Sequence, residues 1–215
     1  QVWVDDPRFG PLSGKLLHSS FGKGWLYYLT LQNVNGTTQA SIIALPHKWE
    51  AGVMRLRVNP ADGQLYGTGL SGWQGPVGGK DGCFQRLRYT GKPCRLLDSV
   101  AVEHDGIQLH FNFEVDPESI KSEKNWHAEM WDYLWSRQYG SDQFSVLHPS
   151  EEGRDEVKII DASLIDSQTI HLGVPDIHPC DQFLLEIETR DQSGEFFLEK
   201  TYLTIHAVPD EPYDE

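Results

Sequence analysis

The 215-residue chain has no uninterrupted apolar run of the roughly 18 residues that a membrane-spanning helix needs. It is poor in cations, with 18 Lys and Arg against 32 Asp and Glu and a formal net charge of -14. That balance excludes a sequence-independent nucleic-acid surface, which needs clustered Lys and Arg, and docking on anionic lipid. The three cysteines, Cys83, Cys94 and Cys180, form neither a C-x-x-C nor a C-x-x-C-H pattern, so neither a zinc knuckle nor a covalent haem is encoded. Cys83 and Cys94 are close enough in sequence to pair across a turn, or equally to stay reduced; only geometry decides. No charged and apolar leader precedes the first strand-like residues, and Gln1 reads as the start of a mature, trimmed or cut chain. No stretch of any length carries a helical period.

What is present is strand signal. Residues 25–31, 38–44, 53–58, 64–69 and 83–89 are aromatic or β-branched runs bounded by Asn35-Gly36, Asp62-Gly63 and Thr90-Gly91. Asp62-Gly63 between two such runs is a hairpin signal, because the turn needs positive φ and glycine tolerates it. Residues 92–98 form a short seam. Beyond it, 100–115 alternates apolar and polar residues through Ile107, Leu109, Phe111 and Phe113, around a central Asp-Gly. Further strands are expected at 156–163, 169–173, 182–190 and 196–206, with 161–168 as a hairpin connection. Residues 124–145 carry Trp126, Trp131, Tyr133, Trp135 and Tyr139. A helix would gather Trp131 and Trp135; a strand would gather His127, Glu129, Trp131, Tyr133 and Trp135. The density of aromatics and the closing Gly140-Ser141 favour a strand. The fold class expected is all-β, divided near residue 96, with an acidic tail at 208–215.

The first part resembles the last blades of the soluble glucose and sorbosone dehydrogenase propellers. The words that carry the resemblance are GKLLHSSFGKGWLYYLTLQ, GVMRLRVNPADGQLYGTGLSGW and CFQRLRYTGKP, in that order. The longer pattern, including DGCFQRLRYTGKP and the Trp-rich strand, is similar to large exported bacterial proteins that join such a propeller to other modules, often a c-type cytochrome domain. Residues 97–207, through GIQLHFNFEVDPESI and DEVKIIDASLIDSQTIHLGVPDI, resemble a bacterial immunoglobulin-like module appended to exported enzymes. The resemblance implies about two propeller blades in residues 1–96, followed by an Ig-like β-sandwich in 97–207, in a periplasmic or secreted protein. It also implies a cofactor, since quinone-dependent dehydrogenases of this type hold anionic pyrroloquinoline quinone with basic residues and bind calcium. The matching positions are Arg55 and Arg57 in the R-x-R strand and Lys23 in the Gly-Lys turn. Guanidinium groups suit the quinone carboxylates by bidentate pairing. The earlier blades and the haem motif of that family are absent from the sequence.

Other chemistry is sparse. Asn59, Asp62 and Gln64 read first as a hairpin turn, since a calcium cage takes six or more oxygens. The nine histidines show no H-x-H or H-E-x-x-H spacing, and no G-x-S-x-G occurs. No catalytic residue and no metal ligand is assigned. The best binding candidates are Trp126, Trp131, Tyr133 and Trp135, whose flat faces suit sugar rings or protein hot spots; the alternative is that they fill a core or a seam. Three functions follow. The chain is a non-catalytic portion of an exported dehydrogenase-like protein that packs against the remaining blades or another protein chain. Or it adds Lys23, Arg55 and Arg57 to a quinone site in an assembled parent. Or it is a carbohydrate-binding module.

Overall fold

In a computed structural model, residues 1–71 and 78–210 are described; the expected acidic tail beyond Asp210 and part of the Gly-rich stretch after Leu70 lie outside them. Strands make up 53% of the chain and helix 4%, so the protein is all-β, built from antiparallel sheets. The chain divides into two compact units, one of residues 1–30 and 42–94, the other of residues 31–41 and 95–215.

The first unit contains β1 (Val2–Trp3), β2 (Leu16–Ser20), and the proximal parts of β3 (Trp25–Val34) and β4 (Thr37–Lys48), neighbours in that order. A second meander follows: β5 (Gly52–Asn59), β6 (Gln64–Leu70) and β7 (Gly82–Leu87). Alternation sets the inward face. Leu26, Tyr28, Ile43, Leu45, Leu56 and Leu65 are all buried with Trp49 and Val53. Gly67 is required where it stands, because a Cβ there would come within 2.5 Å of the Trp49 indole. The Asp62-Gly63 hairpin forms, with Gly63 at φ 68°. Its oxygens serve the turn: Asn59 Oδ1 accepts from Ala61 N at 3.1 Å and Asp62 Oδ1 from Gln64 N at 3.0 Å. From the six-residue 3₁₀ segment Pro7–Leu12, Arg8 donates to the carbonyls of Pro60 (2.8 Å) and Ala61 (3.1 Å).

The second unit is sandwich-like. One sheet runs β13 (Asp161–Leu164), β14 (Thr169–Gly173), β9 (Gly106–Phe111), β8 (Leu97–Glu103). The other runs from the distal β3–β4 hairpin through β16 (Phe196–Ile205), β15 (Cys180–Arg190) and β10 (Trp126–Tyr133) to β11 (Gln143–Phe144), with β12 (Asp155–Val157) also on β10. Phe111 of one sheet meets Phe197 of the other edge-on, with ring centroids 5.5 Å apart. The β3–β4 turn has Asn35 at φ 51° and Gly36 at φ 84°, positive at both central residues as a type I′ hairpin requires. This tip is tied to β8 by a buried glutamine. Gln32 Nε2 donates to Val102 O at 2.8 Å, and Val102 N donates to Gln32 Oε1 at 2.9 Å. Gln39 Nε2 donates to the same Oε1 at 2.9 Å, while its own Oε1 accepts from His206 N and Ala207 N at 3.1 Å. A side-chain amide thus stands in for a strand's backbone.

Two sequence expectations need correction. The strand expected at 156–163 is two strands, because the chain changes sheets: Val157 pairs with Ala128 of β10, and Asp161 pairs with Gly173 of β14. The first half of the expected connection 161–168 is strand, and the turn is confined to Ile165–Gln168. Asp166 makes that short turn affordable by accepting from Gln168 N at 2.7 Å and from the Thr169 hydroxyl at 2.9 Å. Cys83 and Cys94 do not pair: no disulfide forms among Cys83, Cys94 and Cys180.

Candidate functional site

Strand β10 forms at the Trp-rich segment, and its alternation separates the aromatics. Trp126, Ala128 and Met130 point into the core, and Trp126 Nε1 donates to Ile120 O at 3.2 Å. His127, Glu129, Trp131 and Tyr133 lie on the opposite face. Trp131 is nevertheless only 2% exposed. Arg154 lies over its indole at 4.0 Å, a cation–π contact, and Tyr202 meets it edge-on at 6.4 Å. The guanidinium is fixed there by bonds to Glu129 Oε2 (2.6 Å) and Gln143 Oε1 (2.8 Å). The Arg154 hydrogen bond also holds the Glu129 carboxyl below its ordinary pKa. Trp131 Nε1 is buried without a hydrogen-bond partner among the described residues.

Beyond Tyr133 the strand ends and the chain projects as a loop. Its base is closed by pairing of Asp132 with Phe144 and Tyr133 with Gln143. Leu134 N donates to Ser141 Oγ at 3.0 Å, and Tyr133 N to Asp181 Oδ2 at 2.9 Å. Gly140, at φ 84°, supplies the left-handed residue for the return. The return arm is held by Asp155, which accepts from Ser145 Oγ and Val146 N, both at 2.7 Å. On this anchored loop Trp135 is 90% exposed and Tyr139 fully exposed, with Tyr133 and Leu134 half open beside them. Single exposed apolar residues need no explanation, but four within seven positions on a pinned loop form a patch. Ser136, Arg137, Gln138 and Asp142 flank it with polar groups.

The sequence candidates therefore separate into three situations. Trp126 is core. Trp131 is a capped platform that supports the loop's base. Tyr133 and Trp135 are offered to solvent. Arg154 was not foreseen; it stands 23 positions from Trp131, and only the pairing of β10 with β11 and β12 brings it there. In the first unit, Arg55 and Arg57 share the solvent face of β5, and each donates to its own strand's carbonyl, Met54 O at 3.0 Å and Leu56 O at 2.7 Å. Lys23 lies in the exposed β2–β3 turn and makes its backbone bond to Ser20 Oγ at 3.2 Å.

One hydroxyl–imidazole contact invites a nucleophile reading, that of Thr169 and His110 at 3.0 Å. Thr169 is buried, and its hydroxyl already donates to Asp166, so the ring donates to the hydroxyl. A general base must do the reverse. His171 Nε2 contacts Asp105 Oδ1 at 3.0 Å, and no group of three or more His, Cys, Asp or Glu among the described residues is arranged to hold a metal. Comparison with known protein families, with curated proteins and with solved structures found no match.

Proposed function

We propose that the chain is a non-catalytic docking portion of a larger exported protein, and that the Tyr133–Tyr139 loop is its contact with a partner protein. One observation carries this reading: a large aromatic, Trp135, is held almost fully in solvent on a loop whose two ends are both hydrogen-bonded in place. An anchored, exposed Trp is an efficient hot-spot side chain, because it contributes a wide contact area and loses little rotamer freedom on binding. The finer architecture belongs to the same proposal. Two successive antiparallel meanders, β1–β4 and β5–β7, agree with the last two blades of a propeller completed by other blades, and the sandwich-like unit agrees with an Ig-like module. In such a parent, Arg55 and Arg57 would be available to an anionic quinone.

A second reading has its own observation. The exposed rings are flanked by Ser136, Gln138 and Asp142, a stacking face with hydrogen-bonding groups around it, which suits a sugar ring. Site-specific photo-crosslinking separates the two. A photoreactive residue at position 135, in the whole chain within its source cells, yields a discrete protein adduct if the loop docks a protein. If it binds glycan, no adduct forms and tryptophan fluorescence responds to neutral or acidic oligosaccharides. Neither response defeats both readings.

A further inference from the structure

The net charge hides a reversal. The first unit carries ten basic and five acidic residues, and the second eight basic and twenty-seven acidic, so the chain's -14 divides into +5 and -19. The first unit's cations are not evenly spread. On the solvent face of the β5–β6–β7 sheet, the register aligns Arg57 with Tyr66 and Tyr66 with Arg86 in one row; the next row is Arg55, Thr68 and Phe84. Leu56 and Leu65 point the other way, into the core. Residues two apart on a strand stand about 7 Å apart, and strands separated by one other about 10 Å. Arg55, Arg57 and Arg86 thus stand at three corners of a rectangle of that size, and Phe84 at the fourth.

The rings and charges on this face are poorly satisfied internally. Phe84 is 71% exposed, and it stacks on Tyr66 with centroids 5.8 Å apart and planes 27° apart, so the pair forms one apolar platform. Among the described residues neither Arg55 nor Arg57 pairs with a carboxylate; each gives one N–H to a neighbouring carbonyl. Arg86 lies over Tyr66 at 6.0 Å and meets Asp62 at the hairpin end at only 3.7 Å.

We infer that this face docks an extended acidic segment of a partner polypeptide. The carboxylates of an extended chain recur on one side every second residue, about 7 Å, which is the Arg55–Arg57 repeat. Guanidinium pairs carboxylate through two parallel hydrogen bonds. The Tyr66–Phe84 platform accepts an apolar side chain between the charges. Single- or double-stranded nucleic acid fits less well, since its denser charge faces the repulsion of a strongly acidic chain.

The test is a fluorescence-anisotropy titration of the whole chain against a labelled peptide with Glu at alternate positions and a central Phe. The expected result is saturable binding that weakens as salt rises. It falls at least about tenfold in the Arg55→Gln, Arg57→Gln, Arg86→Gln triple variant, from three lost exposed pairs. Lys92→Gln leaves it unchanged. Phe84→Ser weakens it several-fold and preserves its salt dependence. All substituted side chains are exposed, and thermal melts check that each variant folds. The inference is overturned by absent binding, by equal binding of the matched Lys peptide, or by wild-type affinity in the triple variant. It is also overturned if single-stranded DNA or a polyuronate binds more tightly than the peptide, or if sedimentation shows that the face instead joins copies of this chain.

Discussion

Gln32→Ala tests the account of the second unit most sharply. Gln32 is 8% exposed and Val102 1% exposed, and the two exchange both Val102 backbone hydrogen bonds with one carboxamide. Truncation orphans the Val102 N–H and C=O and removes the acceptor of Gln39 Nε2. Each buried unsatisfied group costs about 1–3 kcal/mol, and water entering the vacated space recovers part of that. The expected loss is about 3 kcal/mol. With m of about 2–3 kcal/mol per M urea, the midpoint falls by about 1 M. Gln32→Leu fills the space but leaves Val102 unpaired, so most of the loss persists. Amide hydrogen exchange reports the same event locally: Val102 N–H exchanges on the order of a hundredfold faster in either variant. A midpoint within about 0.3 M of wild type, or unchanged exchange at Val102, refutes the reasoning.

Two further predictions concern titration. Ser193 and Arg95 hydrogen bonds hold Asp191 at about 2, below its ordinary 3.8. A carboxyl lowered on folding contributes stability that is present above about pH 4 and lost as pH falls toward 2, so Asp191→Asn flattens the acid limb of the stability–pH curve in that window; an unchanged limb contradicts the assignment. Cys180 is pushed up to about 12, chiefly by burial and then by the Asp132 carboxylate. It therefore stays a thiol at pH 8 and resists a thiolate-selective reagent until urea unfolds the chain, while Cys94, also raised by partial burial but open to solvent, is labelled first in the native state; labelling of both at equal rates contradicts this.

Short-range features were legible in the sequence. Asn35-Gly36 and Asp62-Gly63 lie between paired strands, with Asn35, Gly36 and Gly63 at the positive φ a tight hairpin asks for, and Asp105-Gly106 marks the β8–β9 hairpin without it. The strand reading of the Trp-rich segment holds for Trp126–Tyr133, where alternation is a local property, but Trp135, expected on the same strand, lies in the loop beyond it. Long-range choices were not legible. Lys158–Ile160 carries the chain from one sheet to the other, and no local composition marks that crossing. Nothing in the sequence marks Gln32 and Gln39 as buried; their burial depends on the Val102, His206 and Ala207 backbone groups they satisfy. The same pairing places residues 31–41 in the second unit, although their sequence neighbours belong to the first. Of the candidate site, the aromatic residues were visible, but which of them are buried follows from pleat direction and from Arg154. The charge reversal between the units was countable from sequence, yet it gains meaning only once the register puts Arg55, Arg57 and Arg86 on one face.

The docking role of the projecting loop is tested most directly by photo-crosslinking from position 135, with Ile165, an exposed apolar residue at the β13–β14 turn, as the control position. The account predicts one discrete protein adduct from 135, its loss when Tyr139 is also replaced by Ser, and no such adduct from 165. An identical adduct pattern from both positions, or none from 135 above background, contradicts it.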